Sequence, residues 1–100
     1  MSVSVTESED KQEVTIHIPE RFDFSCHQEF TGAYQAYPKG EKRFVVDLGH
    51  TEYMDSSAMG MLLQLREYSG HSGGVTLANA GTEVGEILRI ANFGKLFPIA

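Results

Sequence analysis

The sequence is short of the features by which many small proteins are held together or sent to a particular place. It contains one cysteine in 100 residues. Because this residue, Cys26, has no partner for an internal disulfide, the sequence favours a reducing compartment and a domain stabilised by its core alone. No segment approaches the roughly 20 apolar residues that a membrane span requires. The acidic segment 1–13 also lacks the apolar core of a signal peptide, so we expect a cytoplasmic protein that contacts no membrane.

Positive charge is scarce as well. Eight Lys and Arg residues stand against fourteen Asp and Glu residues, which gives a net charge of −6. Proteins bind nucleic acids mainly through clustered Lys and Arg, whereas Arg43, Arg66 and Arg89 are scattered among acids. The sequence therefore argues against a nucleic-acid partner. The four histidines have no metal-ligand spacing among themselves or with Cys26, so neither a metal nor another cofactor is predicted.

Five segments have the periodicity of β-strands. Residues 14–18 alternate apolar and polar side chains, and residues 3–5 do so more weakly. Residues 43–48 are almost continuously apolar, which is typical of a strand that is covered on both faces. Shorter apolar runs predict a buried strand at 75–78 and an edge strand at 96–99.

Three segments between these strands have helical periodicity. The first follows Ser25, which can form a capping box with Gln28. The second has an apolar stripe along residues 58–68, and the third begins at Thr82 as its N-cap. The alternation predicts an α/β fold in which three main helices pack on a mixed sheet of four to five strands. A chain of this length forms one domain and buries roughly two-thirds of its unfolded surface.

A polar segment, residues 54–58, joins the predicted central strand to the second helix. In an open α/β sheet, this crevice at the carboxyl end of a strand is where function usually lies. Asp55 is predicted to be the N-cap of the second helix, since Asp before a helix commonly has that role. Ser56 and Ser57 are either capping serines or hydroxyls at a place suited to phosphate. Unpaired backbone N–H groups and the positive end of the helix face that place, so the phosphate can be bound there or attached to serine.

The run VVDLGHTEYMDSSAMGMLL, residues 45–63, resembles the signature of STAS domains and, most closely, that of the bacterial anti-sigma factor antagonists. That signature is V-x-D-L, a gap, and Asp-Ser-Ser/Thr-Gly-Leu-Gly before an apolar helix. In the family, the serine directly after the aspartate is the regulatory phosphorylation site, and it corresponds here to Ser56. In the loop before the first helix, Asp23 matches the aspartate of the family's Gly-Arg-Leu-Asp segment, whereas Glu20 replaces its glycine. The resemblance covers nearly the whole chain and implies one STAS domain over residues 1–100.

This resemblance implies a regulatory protein rather than an enzyme, with no catalytic residue. In the family, the unphosphorylated domain binds a serine protein kinase that acts as an anti-sigma factor. The kinase uses ATP to phosphorylate the serine and release the domain, and a metal-dependent serine phosphatase or response regulator restores it. By resemblance, Ser56 is the acceptor, and the surface that binds the partner comprises Asp23, Asp55, Ser57, Ala58 and Met59. The resemblance also implies that Asp55 orients Ser56 or the nucleotide chemistry of the kinase, which is compatible with its role as an N-cap.

The chain departs from the family at Gly-Leu-Gly, which is replaced by Ala58, Met59 and Gly60. We expect the Ala58 methyl to limit how closely a kinase reaches Ser56. Met59 lies off the apolar stripe and is predicted to be an exposed anchor for the partner. Gly60 costs a helix about 0.5–1 kcal/mol relative to Ala, so it is predicted to mark a close approach by a strand or a partner.

Two alternatives remain open from the sequence. The chain could be a constitutive STAS docking subunit of an ABC system that transports lipids. Those relatives tend to carry Thr-Ala after the aspartate, where this chain has Ser56 and Ser57. The chain could also be an enzyme with Ser56 as its nucleophile, but Met54 and Ala58 occupy the positions where Gly-x-Ser-x-Gly requires glycine. The sequence marks no histidine as the base that such a serine needs.

Overall fold

A computed structural model of the protein describes residues 2–70 and 74–100. Within these ranges, strands and helices alternate along the chain. The strands are β1 (Ser4–Glu7), β2 (Glu13–His17), β3 (Arg21–Phe22), β4 (Arg43–Asp47), β5 (Tyr53–Met54) and β6 (Val75–Ala78). The helices are α1 (His27–Gln35), α2 (Ser56–Ser69) and α3 (Thr82–Ile90), with 3₁₀ turns at Phe24–Cys26 and Phe93–Lys95. In the described ranges, no helix combines the length and the apolar character needed to cross a membrane.

The main sheet has the strand order β1-β2-β4-β6. β1 pairs with β2 in the antiparallel direction, whereas β4 is parallel to both β2 and β6. The helices are the crossover connections that parallel neighbours require. The predicted α/β fold, with a mixed sheet of four strands and three helices, is therefore confirmed.

The core lies on one face of this sheet. Two rows of paired residues across β2, β4 and β6 are buried, namely Val14, Phe44 and Val75, and Ile16, Val46 and Leu77. Buried side chains of all three helices belong to the same cluster, among them Phe30, Leu62 and Leu88. The prediction that β4 is covered on both faces is wrong, because Val45 and Asp47 on its other face are only half-buried. With the three helices on one side, the opposite side of the sheet is partly open.

The carboxyl ends of the strands are held together through Asp47, the aspartate of the V-x-D-L motif. Its Oδ2 is 3.1 Å from Nδ1 of His17 on the neighbouring strand. Its Oδ1 accepts from the Gly49 amide at 2.9 Å and from Nδ2 of Asn79 at 3.1 Å. Burial raises the pKa of Asp47, but these hydrogen bonds outweigh burial and lower the pKa below its usual 3.8. This motif aspartate therefore has a structural role.

Two predicted helix caps are wrong. The capping box of Ser25 and Gln28 does not form, because Asp23 caps the 3₁₀ turn that precedes α1 and accepts both the amide and the hydroxyl of Ser25. An ionised carboxylate is a stronger acceptor than a hydroxyl, so the aspartate takes these donors. Thr82 is the first residue of α3 rather than its N-cap, which is Gly81.

The predicted edge strand at 96–99 is reduced to a single bridge between Ile99 and Leu77. The Leu77 amide donates to the Pro98 carbonyl at 2.9 Å, and the Ala100 amide donates to the Leu77 carbonyl at 2.8 Å. The 3₁₀ turn at Phe93–Lys95 uses the residues just before, which leaves a short segment for pairing.

The end of α2 is set by a pair of glycines. Gly70 has a left-handed φ of 81° and follows the last helical residue, as C-terminal glycines commonly do. Gly40, with a φ of 78°, donates its amide to the Tyr68 carbonyl at 3.2 Å. A Cβ on Gly70 would lie 3.7 Å from the Gly40 Cα. The sequence also predicts a flexible glycine-rich turn over residues 70–74, of which residues 71–73 lie outside the described ranges.

Candidate functional site

A small second sheet positions the candidate site. β3 and β5 are parallel, and they pair Arg21 with Tyr53 and Phe22 with Met54. Asp23 and Asp55 directly follow these strands, so they end up side by side at the same edge. The charge of Asp23 reaches Asp55 and raises its pKa, against stronger effects that lower it. This pairing places two predicted site residues, far apart in the sequence, next to each other.

The two aspartates form the same local structure. In the Asp23 turn (residues 23–25), Oδ1 accepts from the Ser25 amide at 3.0 Å and from the Ser25 hydroxyl. In the Asp55 turn (residues 55–57), Oδ1 accepts from the Ser57 amide at 3.0 Å and from the Ser57 hydroxyl. Asp55 also accepts from the Ala58 amide at 3.2 Å. The prediction that Asp55 is an N-cap is confirmed, since it satisfies two otherwise unpaired amides at the start of α2.

Ser56 is the first residue of α2 and is exposed. In the described part of the chain, its hydroxyl makes no hydrogen bond, whereas the hydroxyl of Ser57 is half-buried and donates to Asp55. Of these two adjacent serines, Ser56 therefore presents a hydroxyl that an approaching molecule can reach. Asp55 orients Ser57 rather than Ser56.

The carboxylate of Asp55 is ionised near neutral pH. The hydroxyl of Ser57 makes the largest contribution and lowers the pKa of Asp55 below 3.8, and the amides of Ala58 and Ser57 lower it further. A carboxylate with a lowered pKa is a weak base, so Asp55 is poorly suited to take a proton from Ser56.

The three residues that follow Ser57 in α2 differ in their burial. Ala58 is fully buried, so its assignment to a partner-binding surface is wrong. The helical stripe that packs α2 on the core includes it, together with Met61 and Leu62. Met59, predicted to be an exposed anchor, is half-buried and packs against the core. Gly60 faces open space, since a Cβ added to it would meet no atom within 4 Å, so no strand approaches it in the described ranges.

Two exposed apolar side chains lie in the Asp23 turn and on the face of α2 that carries Ser56. Phe24, the middle residue of the Asp23 turn, is 66% exposed and stacks on the His27 ring with centroids 4.7 Å apart. Leu63 is 42% exposed and lies two helical turns beyond Ser56 on the same face of α2. An open groove of about 650 Å³ runs along α1 beside Phe24. The seven-residue spacing between Ser56 and Leu63 could have shown from the sequence that the two residues share a helix face. Nothing in the local sequence distinguishes Phe24 from a core residue.

Arg21 provides positive charge at this edge. Its guanidinium lies over the Tyr53 ring, 4.4 Å from the centroid. Its Nε and Nη2 donate to Oδ2 of Asp23 at 3.3 and 3.2 Å. Among residues 2–70 and 74–100, no cluster of three or more His, Cys, Asp and Glu side chains could hold a metal ion.

Comparisons with known proteins identify the family and the fold of the chain. The family model described as Mlab, STAS domain matches residues 5–98. A STAS-domain containing protein of Pseudomonas aeruginosa (strain UCBPP-PA14) is 46% identical over 101 residues, which span the whole of both chains. BtrV of Bordetella bronchiseptica, whose name describes it as a candidate anti-sigma factor antagonist, is 35% identical over 66 residues, covering 62% of this chain and 54% of that protein.

Solved structures extend the likeness to the fold. The anti-sigma factor antagonist SpoIIAA in its unphosphorylated form superposes with a TM-score of 0.73 at 18% identity, covering 99% of this chain and 88% of that one. The phosphorylated form of the Bacillus protein SpoIIAA superposes with a TM-score of 0.65 at 18% identity, covering 99% and 91%. At this identity the likeness concerns the fold, which is that of the anti-sigma factor antagonists. With nearly all of its length matched by the family model and one full-length relative at 46% identity, the chain belongs to the STAS domain family.

Proposed function

We propose that this protein is a phosphorylation-switched regulator of the anti-sigma factor antagonist type. Its unphosphorylated form binds a partner that has a serine-kinase fold and acts as an anti-sigma factor, and phosphorylation of Ser56 releases that partner. The observation that carries the proposal is the Ser56 hydroxyl, which is exposed at the start of α2 and makes no hydrogen bond in the described part of the chain.

The relatives support this proposal in two ways. BtrV is named as a candidate anti-sigma factor antagonist, and its similarity covers 62% of this chain. SpoIIAA, which shares the fold, has been obtained in both unphosphorylated and phosphorylated forms. A domain of this shape can therefore carry a phosphate, and we assign that role to Ser56 because it directly follows the capping aspartate.

In the proposed reaction, Oγ of Ser56 attacks the γ-phosphorus of the partner's ATP. The Oγ–P bond forms, the bond from the γ-phosphorus to the bridging oxygen of ADP breaks, and the serine proton goes to a base. We assign that base to the partner, because Oδ1 of Asp55 is engaged by Ser57 and by the Ala58 amide. Hydrolysis of the phosphoserine by a metal-dependent serine phosphatase, alone or with a response regulator, returns the hydroxyl.

The switch is electrostatic. A phosphate adds about −1.5 to −2 charges at neutral pH. On Ser56, this charge joins the ionised carboxylates of Asp23 and Asp55 on a surface that also exposes Phe24. A partner that packs on this surface would bury an unpaired charge, which costs a few kcal/mol and so lowers affinity about a hundredfold or more. The positive end of α2 tolerates the phosphate, so the domain keeps its fold.

The first test is to express the tagged chain in its native host and to map phosphate by tandem mass spectrometry. We expect one phosphate on Ser56 in the wild type and in Ser57→Ala, and none in Ser56→Ala. The two serines are adjacent, so Ser57→Ala is a matched control. Phosphate found on another residue while Ser56 stays unmodified would reject the assignment.

The second test concerns binding. A protein identified by sequence as having the serine-kinase fold should co-purify with Ser56→Ala and be absent with Ser56→Glu. With the purified pair, Ser56→Glu should weaken binding about a hundredfold or more relative to Ser56→Ala. Equal affinity of the two variants would contradict an electrostatic switch.

A second candidate function is that of a constitutive docking subunit in an ABC system that transports lipids. The observation that favours it is the name Mlab in the description of the matching family model. Under this alternative, the chain forms a stable complex with a transport ATPase and has no phosphate cycle. Co-purification of that ATPase in equal yield with Ser56→Ala and Ser56→Glu would favour it over the switch.

A further inference from the structure

The surroundings of Ser56 contain several acids and very little positive charge. Residues 19–26 and 51–60 form the two strands and turns of the site, and their acids are Glu20, Asp23, Glu52 and Asp55. The one Lys or Arg in these two segments is Arg21. Helix α3 also packs against β5, and its charged residues are Glu83, Glu86 and Arg89, of which Arg89 pairs with Glu86. Within the two segments of the site, Arg21 is therefore the side chain that could compensate a dianionic phosphate on Ser56.

Arg21 is already held in place at the edge where Ser56 lies. The Tyr53 ring supports one face of its guanidinium at 4.4 Å, and Asp23 accepts from its Nε and Nη2. A guanidinium has five N–H donors, and in residues 2–70 and 74–100 no other acceptor is found for the ones that Asp23 leaves. The side chain is 62% exposed, so these donors face solvent. Arginine recognises phosphate well because two parallel N–H groups match two phosphate oxygens.

The contact between Arg21 and Asp23 can be given up at small cost. Oδ1 of Asp23 is held by the amide and hydroxyl of Ser25, independently of Arg21. Only Oδ2 would lose its partner, and because the Asp23 side chain is 16% exposed, water can take the place that Arg21 leaves. Arg21 is opposite Tyr53 in the strand pair. Ser56 follows Tyr53 by three residues, which is about 10 Å along an extended chain. An arginine and a phosphoserine side chain can together bridge that distance if they turn toward each other.

We propose that Arg21 is the intramolecular receptor for the phosphate on Ser56, and that it exchanges Asp23 for the phosphate when Ser56 is modified. The proposal rests on the proposed function, in which Ser56 carries a phosphate. Two changes follow. The phosphate is oriented and partly neutralised by Arg21, and Asp23 loses its counter-charge. A partner then meets altered charge on both aspartate turns, although only one of them is modified.

The test uses chain in which phosphoserine is installed at position 56 during translation, so that no kinase is required. The phosphate is titrated by ³¹P NMR in the wild-type background, in Arg21→Gln, in Arg21→Lys and in Arg89→Gln. Arg89 is a matched control because its side chain is 71% exposed and pairs with the carboxylate of Glu86 on α3.

We expect the titration midpoint in Arg21→Gln to lie at a pH higher by about 0.5 or more than in the wild-type background, since a nearby cation favours the dianion. Arg21→Lys should fall between these two values, and Arg89→Gln should match the wild-type background. The Nε–H resonance of Arg21 should also move when position 56 is phosphorylated, which needs no substitution. The difference should shrink in high salt, because exposed charges are screened.

Equal midpoints for Arg21→Gln and Arg89→Gln, with an unmoved Arg21 resonance, would overturn the proposal. The outcome is separable from the proposed function. If Ser56 is never phosphorylated in the native host, the switch fails while this titration can still succeed. If Ser56 is phosphorylated there and the midpoints are equal, only the role of Arg21 is rejected.

Discussion

The Asp23 turn and the Asp55 turn share two hydrogen bonds but expose different side chains. In each, an aspartate that follows a two-residue strand accepts the amide and the hydroxyl of the serine two positions later. The middle residue is Phe24 in the first turn and Ser56 in the second, and both are exposed. The first turn caps a 3₁₀ turn, whereas the second caps the fourteen-residue helix α2. The aspartates and the outer serines therefore build the turn, and the middle residue determines what a partner meets.

The largest expected effect comes from placing a carboxylate at the middle position. We predict that Ser56→Glu lowers the affinity for the kinase partner about a hundredfold or more relative to Ser56→Ala, because an unpaired charge becomes buried at the interface. Isothermal titration calorimetry on the purified pair measures this. Glu9→Gln, a charge change at an exposed residue of the β1–β2 turn at the opposite end of the sheet, serves as the control and should leave the affinity unchanged. An affinity of Ser56→Glu within threefold of Ser56→Ala would show that the second turn is not at the interface.

The next effect concerns the first turn. Phe24→Ala should weaken the same complex by about tenfold, since exposed aromatic side chains that become buried often contribute more than 1 kcal/mol. Ile90→Ala is a matched control, because Ile90 is 68% exposed and Phe24 is 66% exposed, but Ile90 lies at the end of α3. If both variants bind like the wild type, the Asp23 turn lies outside the interface. If Ile90→Ala is the weaker binder, the interface is on α3.

A smaller effect is expected on stability when the glycines in the helices that follow the two turns are replaced. Gly60 in α2 and Gly32 in α1 both face open space in the described structure. We predict that Gly60→Ala raises the free energy of unfolding by about 0.5–1 kcal/mol, because alanine has the better helix propensity. Gly32→Ala should give a similar increase, and denaturant titration measures both. A loss of stability in Gly60→Ala alone would indicate a contact near α2 that these ranges do not contain.

The smallest effect in free energy concerns the pKa of the aspartate in each turn. Ser57→Ala should raise the pKa of Asp55 toward its usual 3.8, because the Ser57 hydroxyl makes the largest contribution to lowering it. Ser25→Ala should do the same for Asp23. Carboxyl ¹³C NMR titrations measure each shift, and each should be confined mainly to its own turn.

The sign of the linked stability change follows from the lowered pKa. A carboxyl group whose folded pKa is lowered stabilises the fold above its unfolded value, and this stabilisation is lost as the pH falls through the folded pKa. The free energy of unfolding of Ser57→Ala should therefore decline less steeply than that of the wild type as the pH falls below about 4. An identical pH profile for both proteins would show that the hydrogen bond to Asp55 is not maintained in solution.

Local chemistry made part of the site predictable. Asp55 precedes a helical stripe, and the cap that this order predicts is present. The burial of Ala58 also follows from the stripe it shares with Met61 and Leu62, so the family comparison, not the helical pattern, led to its placement on the surface. The pairing of β3 with β5 could not be predicted, because two residues are too few to show a period and because tertiary packing decides it. The exposure of Phe24 depends on the same pairing.

The hydroxyl of Ser56 has no hydrogen bond to lose within the described part of the chain, and Oδ1 of Asp55 is engaged by Ser57 and Ala58 instead. A group esterified there breaks no hydrogen bond of the Ser56 hydroxyl, and its removal leaves no backbone gap for the chain to close. Each round of phosphorylation and dephosphorylation would then proceed without refolding of the domain. The rate of the cycle would be set by the kinase and the phosphatase, because no slow conformational change of the domain would follow either step.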